Sequence, residues 1–223
     1  MGTEQYVVKA GDYMTLIAYR YGTTVAAILD DPSNAALKAA RPNPEILAPL
    51  DLVTMPTPTP NLRTLTTGTT NTFTSSPPTV KLNVILNADD GTPIAGKAVT
   101  TDVPVVGDGP LATDGNGLLT LEVTVLVDTV QVTVTETGAS FSLRVGNLDP
   151  HSVDSGILSR LRHMGHVGND GPFALRRPDL SDLDVDALSA ASAITSFQLA
   201  QGKDATGTID DPLRGDIRDA HGS

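Results

Sequence analysis

The stretch YVVKAGDYMTLIAYRYGTT, residues 6–24, decides how the chain begins to fold. Its first three residues are β-branched or aromatic and predict a short strand, and Ala10-Gly11-Asp12 predicts a turn. Apolar residues then recur at helical spacing up to Tyr21. Gly22 follows them, at the position where a left-handed residue commonly ends a helix. The stretch therefore predicts a strand, a turn and a helix in that order.

The pattern continues outward to residue 56. Thr24 can cap a second helix, and residues 30–37 lengthen the helical section before the irregular residues 41–44. Leu52-Val53-Thr54-Met55 alternates as a closing strand and ends at Pro56. We therefore predict an N-terminal module at residues 1–57 with the order strand, helix, helix, strand.

In order and spacing, these motifs resemble the LysM domain family. The resemblance implies a βααβ fold that binds N-acetylglucosamine-containing glycans between the loop after the first strand and the loop before the second. The implied glycan- or partner-binding residues are Gly11, Asp12, Tyr13, Met14 and Thr15 of the first loop and Pro44, Glu45, Ile46 and Leu47 of the second.

Two residues depart from the family pattern. Tyr13 stands where the family usually has Thr or Ser, and its ring could stack on a sugar or could fill the groove and anchor a protein. Leu50 stands where the family usually has Gly. Because a non-glycine residue at positive φ is strained, this departure predicts that the second loop has shifted.

The central part of the chain contains a Thr- and Pro-rich segment followed by a region of alternating apolar residues. Residues 58–79 are rich in Thr and Pro, which indicates an extended linker; β-branched Thr leaves open that part of it pairs as a leading strand. Residues 80–148 contain five or six short alternating runs, and Asp114-Gly115-Asn116-Gly117 marks a tight turn between two of them. This pattern predicts a small antiparallel β-sandwich.

Residues 149–223 return to helical periodicity. Three helices are predicted, of which the first ends at Gly165, the second ends at Gly202 and the third is capped by Asp211 with Pro212 in its first turn. The motifs at 156–165, 193–198 and 206–210 resemble the three-helix bacterial peptidoglycan-binding domain. The predicted fold class is thus multi-domain α+β.

The order of these parts carries a further resemblance. A LysM-like start, a β domain, the join Gly146-Asn147-Leu148-Asp149-Pro150 and a peptidoglycan-binding-like end are similar to proteins that accompany contractile injection systems, including type VI secretion and phage-tail-like particles. The resemblance implies a structural or accessory role, for example at a baseplate, with other proteins of the assembly as partners. The alternative is a peptidoglycan-binding protein that anchors a partner or a delivered effector at the cell wall.

Charge and composition exclude several other classes. The net charge of −11 repels nucleic-acid phosphates and anionic lipid head groups, so neither is an expected partner. There is no cysteine, and no apolar run approaches the roughly 20 residues of a membrane-spanning helix. No signal-peptide pattern is present, so the chain is expected to be cytoplasmic as synthesised and then to reside in, or leave with, an injection particle.

The candidate reactive residues do not form a recognisable site. His163 and His166 could place two metal ligands on one helix face, but Gly165 interrupts that helix and no third ligand follows at a suitable spacing. The paired aspartates at 89–90 and 210–211 fall at turns or helix caps, and no nucleophile motif occurs. The sequence therefore predicts no enzymatic activity, no metal and no cofactor.

Overall fold

The computed structural model describes residues 4–57, 62–73, 76–88, 91–107, 109–166 and 187–222. The chain is mixed α+β with small antiparallel sheets, as its sequence predicted. It divides into two compact units, residues 1–147 and residues 148–223. The first unit holds the N-terminal module and the β-rich region, which is called the β module below. The second is called the C-terminal unit.

The N-terminal module pairs two short strands and encloses three helices between them. Thr24 caps the second helix as predicted, because its hydroxyl accepts the N–H of Ala27 at 3.1 Å. The residues of the insertion form a 3₁₀ turn and an additional helix. The elements are β1 (Glu4–Val7), α1 (Met14–Arg20), α2 (Val25–Leu29), the 3₁₀ turn (Pro32–Asn34), α3 (Ala35–Ala40) and β2 (Leu52–Met55).

One buried amide joins the insertion to the rest of the N-terminal module. Asn34 is 1% exposed, and its Nδ2 donates to the carbonyls of Ile28 and Thr54, each at 2.8 Å. Its Oδ1 accepts the N–H of Thr54, also at 2.8 Å. A buried amide is stable only when its donors and acceptor find partners, so Asn34 fixes the insertion against both α2 and β2.

The β module consists of two antiparallel sheets around one core of alternating valines and leucines. One sheet pairs β3 (Thr79–Ile85) with β5 (Leu118–Thr124), and the other has the order β4 (Val99–Thr101), β6 (Thr129–Val134), β7 (Ser140–Arg144). Inward-facing residues of both sheets share the same hydrophobic cluster. In the described part of the linker, residues 62–73 and 76–78, no strand forms.

The C-terminal unit contains α4 (Asp154–His163), α5 (Ala187–Ala200) and α6 (Asp211–His221), which share a core of Ile, Leu and Phe. One predicted cap is wrong: Asp210, not Asp211, caps α6, because its carboxylate accepts the N–H of Leu213 at 2.8 Å. Pro212 consequently lies at the second helical position. Of the helices in the described residues, none is long and apolar enough to cross a membrane.

Candidate functional site

The two loops of the predicted groove are joined directly by hydrogen bonds. The N–H of Met14 donates to the carbonyl of Pro44 at 3.3 Å. Thr15 donates twice to the carboxylate of Glu45, from its N–H at 3.3 Å and from its hydroxyl at 2.7 Å. The loops, residues 11–15 and 44–47, are called the loop groove below.

Glu45 replaces a missing helix cap. Tyr13 precedes α1 in extended conformation, and its side chain makes no capping hydrogen bond. A Thr or Ser at that position could have accepted an N–H of the first turn. Glu45 supplies the acceptor from the opposite loop instead, and its negative charge is favourable at the positive end of the helix dipole.

The carboxylate of Asp12 is buried and makes its hydrogen bonds within the N-terminal module. Asp12 is 5% exposed, and its carboxylate accepts from the Tyr6 hydroxyl at 2.5 Å, the Lys9 N–H at 2.9 Å and the Arg20 guanidinium at 2.7 Å. Burial, together with the hydrogen bond to Asp12 and its charge, raises the pKa of Tyr6 to about 12. The carboxylate therefore shapes the first loop and has little capacity left for a ligand.

Tyr13 is buried against the β module. Its ring is 2% exposed and belongs to the hydrophobic cluster of the β module, and its hydroxyl lies 3.5 Å from the Val125 carbonyl oxygen. Burial, with the negative charges of Glu45 and Asp128, raises its pKa to about 12. A ring without an exposed face can neither stack on a sugar nor contact a partner protein, so both roles predicted for Tyr13 are wrong: the ring packs against the β module of its own chain.

Gly146 completes the surface that receives this ring. It has φ 76°, and a Cβ atom at this position would lie 2.5 Å from Cδ1 of Tyr13 and 2.6 Å from the carbonyl oxygen of Gly11. Only glycine fits both the backbone conformation and the space. Sequence reasoning missed this role, although the glycine directly after the last alternating run was a signal for a close backbone approach.

The second loop retains the left-handed backbone at Leu50. Leu50 has φ 75°, the only positive φ of a non-glycine residue in the described chain, and its side chain is 78% exposed. The prediction that the loop shifts away from this conformation is therefore wrong. The half-buried Arg41–Asp51 pair, with two hydrogen bonds of 2.8 and 2.9 Å, holds the loop beside it.

The nine predicted groove residues have different environments. Four of them are buried and serve the folded structure: Asp12, Tyr13, Met14 and Leu47. The other five are partly exposed: Gly11, Thr15, Pro44, Glu45 and Ile46. Since Thr15 and Glu45 bond to each other, the free surface of the loop groove is mainly the apolar side chains of Pro44 and Ile46.

The match to known families coincides with the first half of this module. Residues 6–31 match the LysM domain. The LysM match covers the first loop, α1 and α2, and ends before the second loop. LysM domains bind peptidoglycan and related N-acetylglucosamine glycans, so this part of the chain has the fold of a glycan-binding domain. Comparison with curated proteins and with solved structures gave no match.

His163 and His166, whose spacing suggested metal ligands but did not predict a site, have different partners in the structure. His163 Nδ1 lies 3.0 Å from Nε2 of His221, and His166 Nδ1 lies 3.0 Å from the hydroxyl of Ser196. No cluster of three or more potential metal ligands occurs among the described residues. Asp114, the first residue of the predicted tight turn, uses Oδ1 to accept the N–H groups of Asn116 and Leu118, each at 2.8 Å.

Proposed function

We propose that this protein is a non-catalytic docking component of a larger protein assembly, and that its LysM domain serves protein contact more than glycan capture. The support for this proposal is that Tyr13, the residue that departs from the family at the edge of the groove, is buried against the β module of the same chain and is not available to stack on a sugar. Pro44 and Ile46 of the second loop remain partly exposed for a protein contact. A LysM fold does not by itself fix its ligand, because function depends on the site that the fold carries.

Most polar groups of the loop groove are already hydrogen-bonded within the chain, which supports the same role. Thr15 donates two hydrogen bonds to Glu45, and the carboxylate of Asp12 accepts hydrogen bonds from three donors. A sugar N-acetyl group would have to compete with these internal hydrogen bonds. The apolar Pro44 and Ile46 that remain are suited to a small hydrophobic contact with a protein.

For the kind of assembly, the proposal is a contractile injection apparatus. Its support is the order of the parts: a LysM domain, a β module, the join at 146–150 and a helical unit similar to peptidoglycan-binding domains. In this proposal the protein remains with, or is released by, a particle assembled in the cytoplasm, and both terminal parts act as docking modules.

Peptidoglycan binding is the second candidate, and the LysM match favours it. In that case the chain would anchor a partner or a delivered effector at the cell wall. The affinity should then depend on Ile46, which is the partly exposed apolar residue at the centre of the second loop.

Calorimetry with a series of chito-oligosaccharides and a pulldown on purified sacculi separate the two candidates. With the full chain we expect affinities no tighter than about millimolar, roughly 4 kcal/mol. Micromolar binding that is lost in Ile46→Ala but retained in Leu62→Ala, a variant of an exposed linker residue, would establish the glycan candidate. Co-purification of the tagged chain with tail-like particles from its native host is the result expected for the docking role.

A further inference from the structure

A second concave surface lies where the LysM domain meets the β module. It is a cleft of 310 Å³ between the first loop and α1 on one side and the β6–β7 hairpin on the other. Its floor includes Leu16 and Val145, which are 7% and 5% exposed. The cleft shares Gly11 and Asp12 with the loop groove but contains no residue of the second loop, so the two surfaces overlap only at the first loop.

The walls of the cleft are held in place by the contacts described above. Tyr13 is buried on the β-module side, and Gly146 leaves no space between the two backbones. On the hairpin, the N–H of Val145 donates to the carbonyl of Asp128 at 2.9 Å. Such a cleft is largely preformed, which lowers the entropy cost of binding a ligand.

The charges that line the cleft fall into two groups. Arg20 and Asp12 form an ion pair at 2.7 Å and so neutralise each other. Arg144 and Asp128 also line the cleft, both are exposed, and neither side chain makes a hydrogen bond or ion pair with any described residue. Both are near the open end of the β6–β7 ladder, where Arg144 is in register with Thr129. The cleft thus offers one exposed positive group and one exposed negative group, together with the small accessible parts of Leu16 and Val145.

We propose that this cleft binds a small zwitterion, the α-ammonium and α-carboxylate group of an amino acid. The guanidinium of Arg144 accommodates the carboxylate, since its planar N–H groups match the two carboxylate oxygens. The carboxylate of Asp128 accepts hydrogen bonds from the ammonium group. An apolar side chain then faces Leu16 and Val145, and the volume is at the lower end of the range for small-molecule sites.

Three related probes test this assignment on the full chain. L-leucine carries both charges, N-acetyl-L-leucine only the carboxylate and L-leucinamide only the ammonium group. We expect saturable binding of L-leucine by NMR titration or calorimetry, and binding at least about tenfold weaker for each blocked form, because each loses a charge-assisted hydrogen bond. Equal affinity for all three probes, or no saturable binding of L-leucine, would overturn the proposal.

Two variants locate the site. Arg144→Gln and Asp128→Asn should each weaken L-leucine binding by about tenfold or more. Arg63→Gln, a change of equal charge at an exposed linker residue, should leave it unchanged. Thermal unfolding of each variant checks that the fold is intact. Unaltered binding in Arg144→Gln would place the site elsewhere and contradict the proposal, and none of these outcomes depends on whether the loop groove binds a glycan.

Discussion

Tyr13 and Leu50 occupy positions where small residues are usual in LysM domains, and their energetic effects have opposite signs. Burial of a large side chain such as that of Tyr13 stabilises by about 1.5–3 kcal/mol. Leu50, in the left-handed region at φ 75°, costs about 1–2 kcal/mol, and its exposed side chain recovers little of this. The loss of a capping residue at Tyr13 is offset by Glu45. Tyr13 therefore gives up a helix cap and gains a contact with the β module, whereas Leu50 adds strain to the N-terminal module without a compensating contact.

The strain at Leu50 predicts a stabilising substitution. Leu50→Gly should raise the free energy of unfolding by about 1 kcal/mol, because glycine adopts positive φ without a steric penalty and little packing is lost. All four tyrosines lie within residues 6–21, so tyrosine fluorescence during urea unfolding reports this region alone. Leu62→Gly, at an 89% exposed position without positive φ, is the matched control and should not stabilise. A less stable Leu50→Gly protein would contradict the strain argument.

Replacing Gly146 is expected to lower the free energy of unfolding, in contrast to the Leu50→Gly substitution. Gly146→Ala places a methyl group against the Tyr13 ring and the Gly11 carbonyl, so we expect a loss of about 2–4 kcal/mol from overpacking and backbone strain together. Gly138→Ala separates the two causes, because Gly138 has a similar φ of 73° but no heavy atom within 4 Å of the added Cβ. Tyrosine fluorescence during urea unfolding should show a clearly larger loss for Gly146→Ala. Equal losses would mean that the close approach to Tyr13 contributes nothing.

At the scale of elements, periodicity predicted most of the structure and failed where a contact spans distant residues. The strands of the β module and the helices α4, α5 and α6 follow runs of period 2 and 3.6. The cap of α6 was placed one residue late because Asp210 and Asp211 are both suitable caps. Asn34 could not be anticipated, because its partners come from α2 and β2. The same holds for Tyr13 and Val125, which are 112 residues apart.

Two helical glycines of the C-terminal unit provide a test at this scale. In α4, a Cβ at Gly156 would lie 2.1 Å from the carbonyl oxygen of Pro150, so Gly156→Ala should destabilise the unit by about 1–3 kcal/mol or more. In α6, Gly215 has no atom within 4 Å of the added Cβ, and Gly215→Ala should stabilise by about 0.5–1 kcal/mol through helix propensity. Far-UV circular dichroism during thermal unfolding measures both. If the two variants shift in the same direction, close packing at Gly156 is not what requires glycine.

Over the whole molecule, titratable residues are distributed unequally between the two units. All four histidines lie in residues 148–223, and all four tyrosines lie in residues 1–147. Burial is the largest cause that lowers the pKa of each histidine: His151, His163, His166 and His221. For His221, the charges of His163 and Arg160 add to burial, and its pKa falls to about 4. The C-terminal unit therefore holds its histidines in an environment that disfavours protonation.

This distribution predicts that acid weakens the C-terminal unit first. A histidine whose pKa is lower in the folded than in the unfolded state binds its proton preferentially when unfolded. Its contribution to stability is complete above the unfolded value of 6.5 and is lost as the pH falls from there towards 4. Between pH 7 and pH 5 the C-terminal unit should lose about 1–3 kcal/mol of its free energy of unfolding, while residues 1–147, which contain no histidine, should be little affected.

Histidine NMR signals report the unfolding of the C-terminal unit, and tyrosine fluorescence reports the unfolding of residues 1–147. His221→Gln should reduce the pH dependence, because the glutamine does not titrate; an unchanged pH dependence in that variant, or an earlier change in the tyrosine signal, would contradict the prediction.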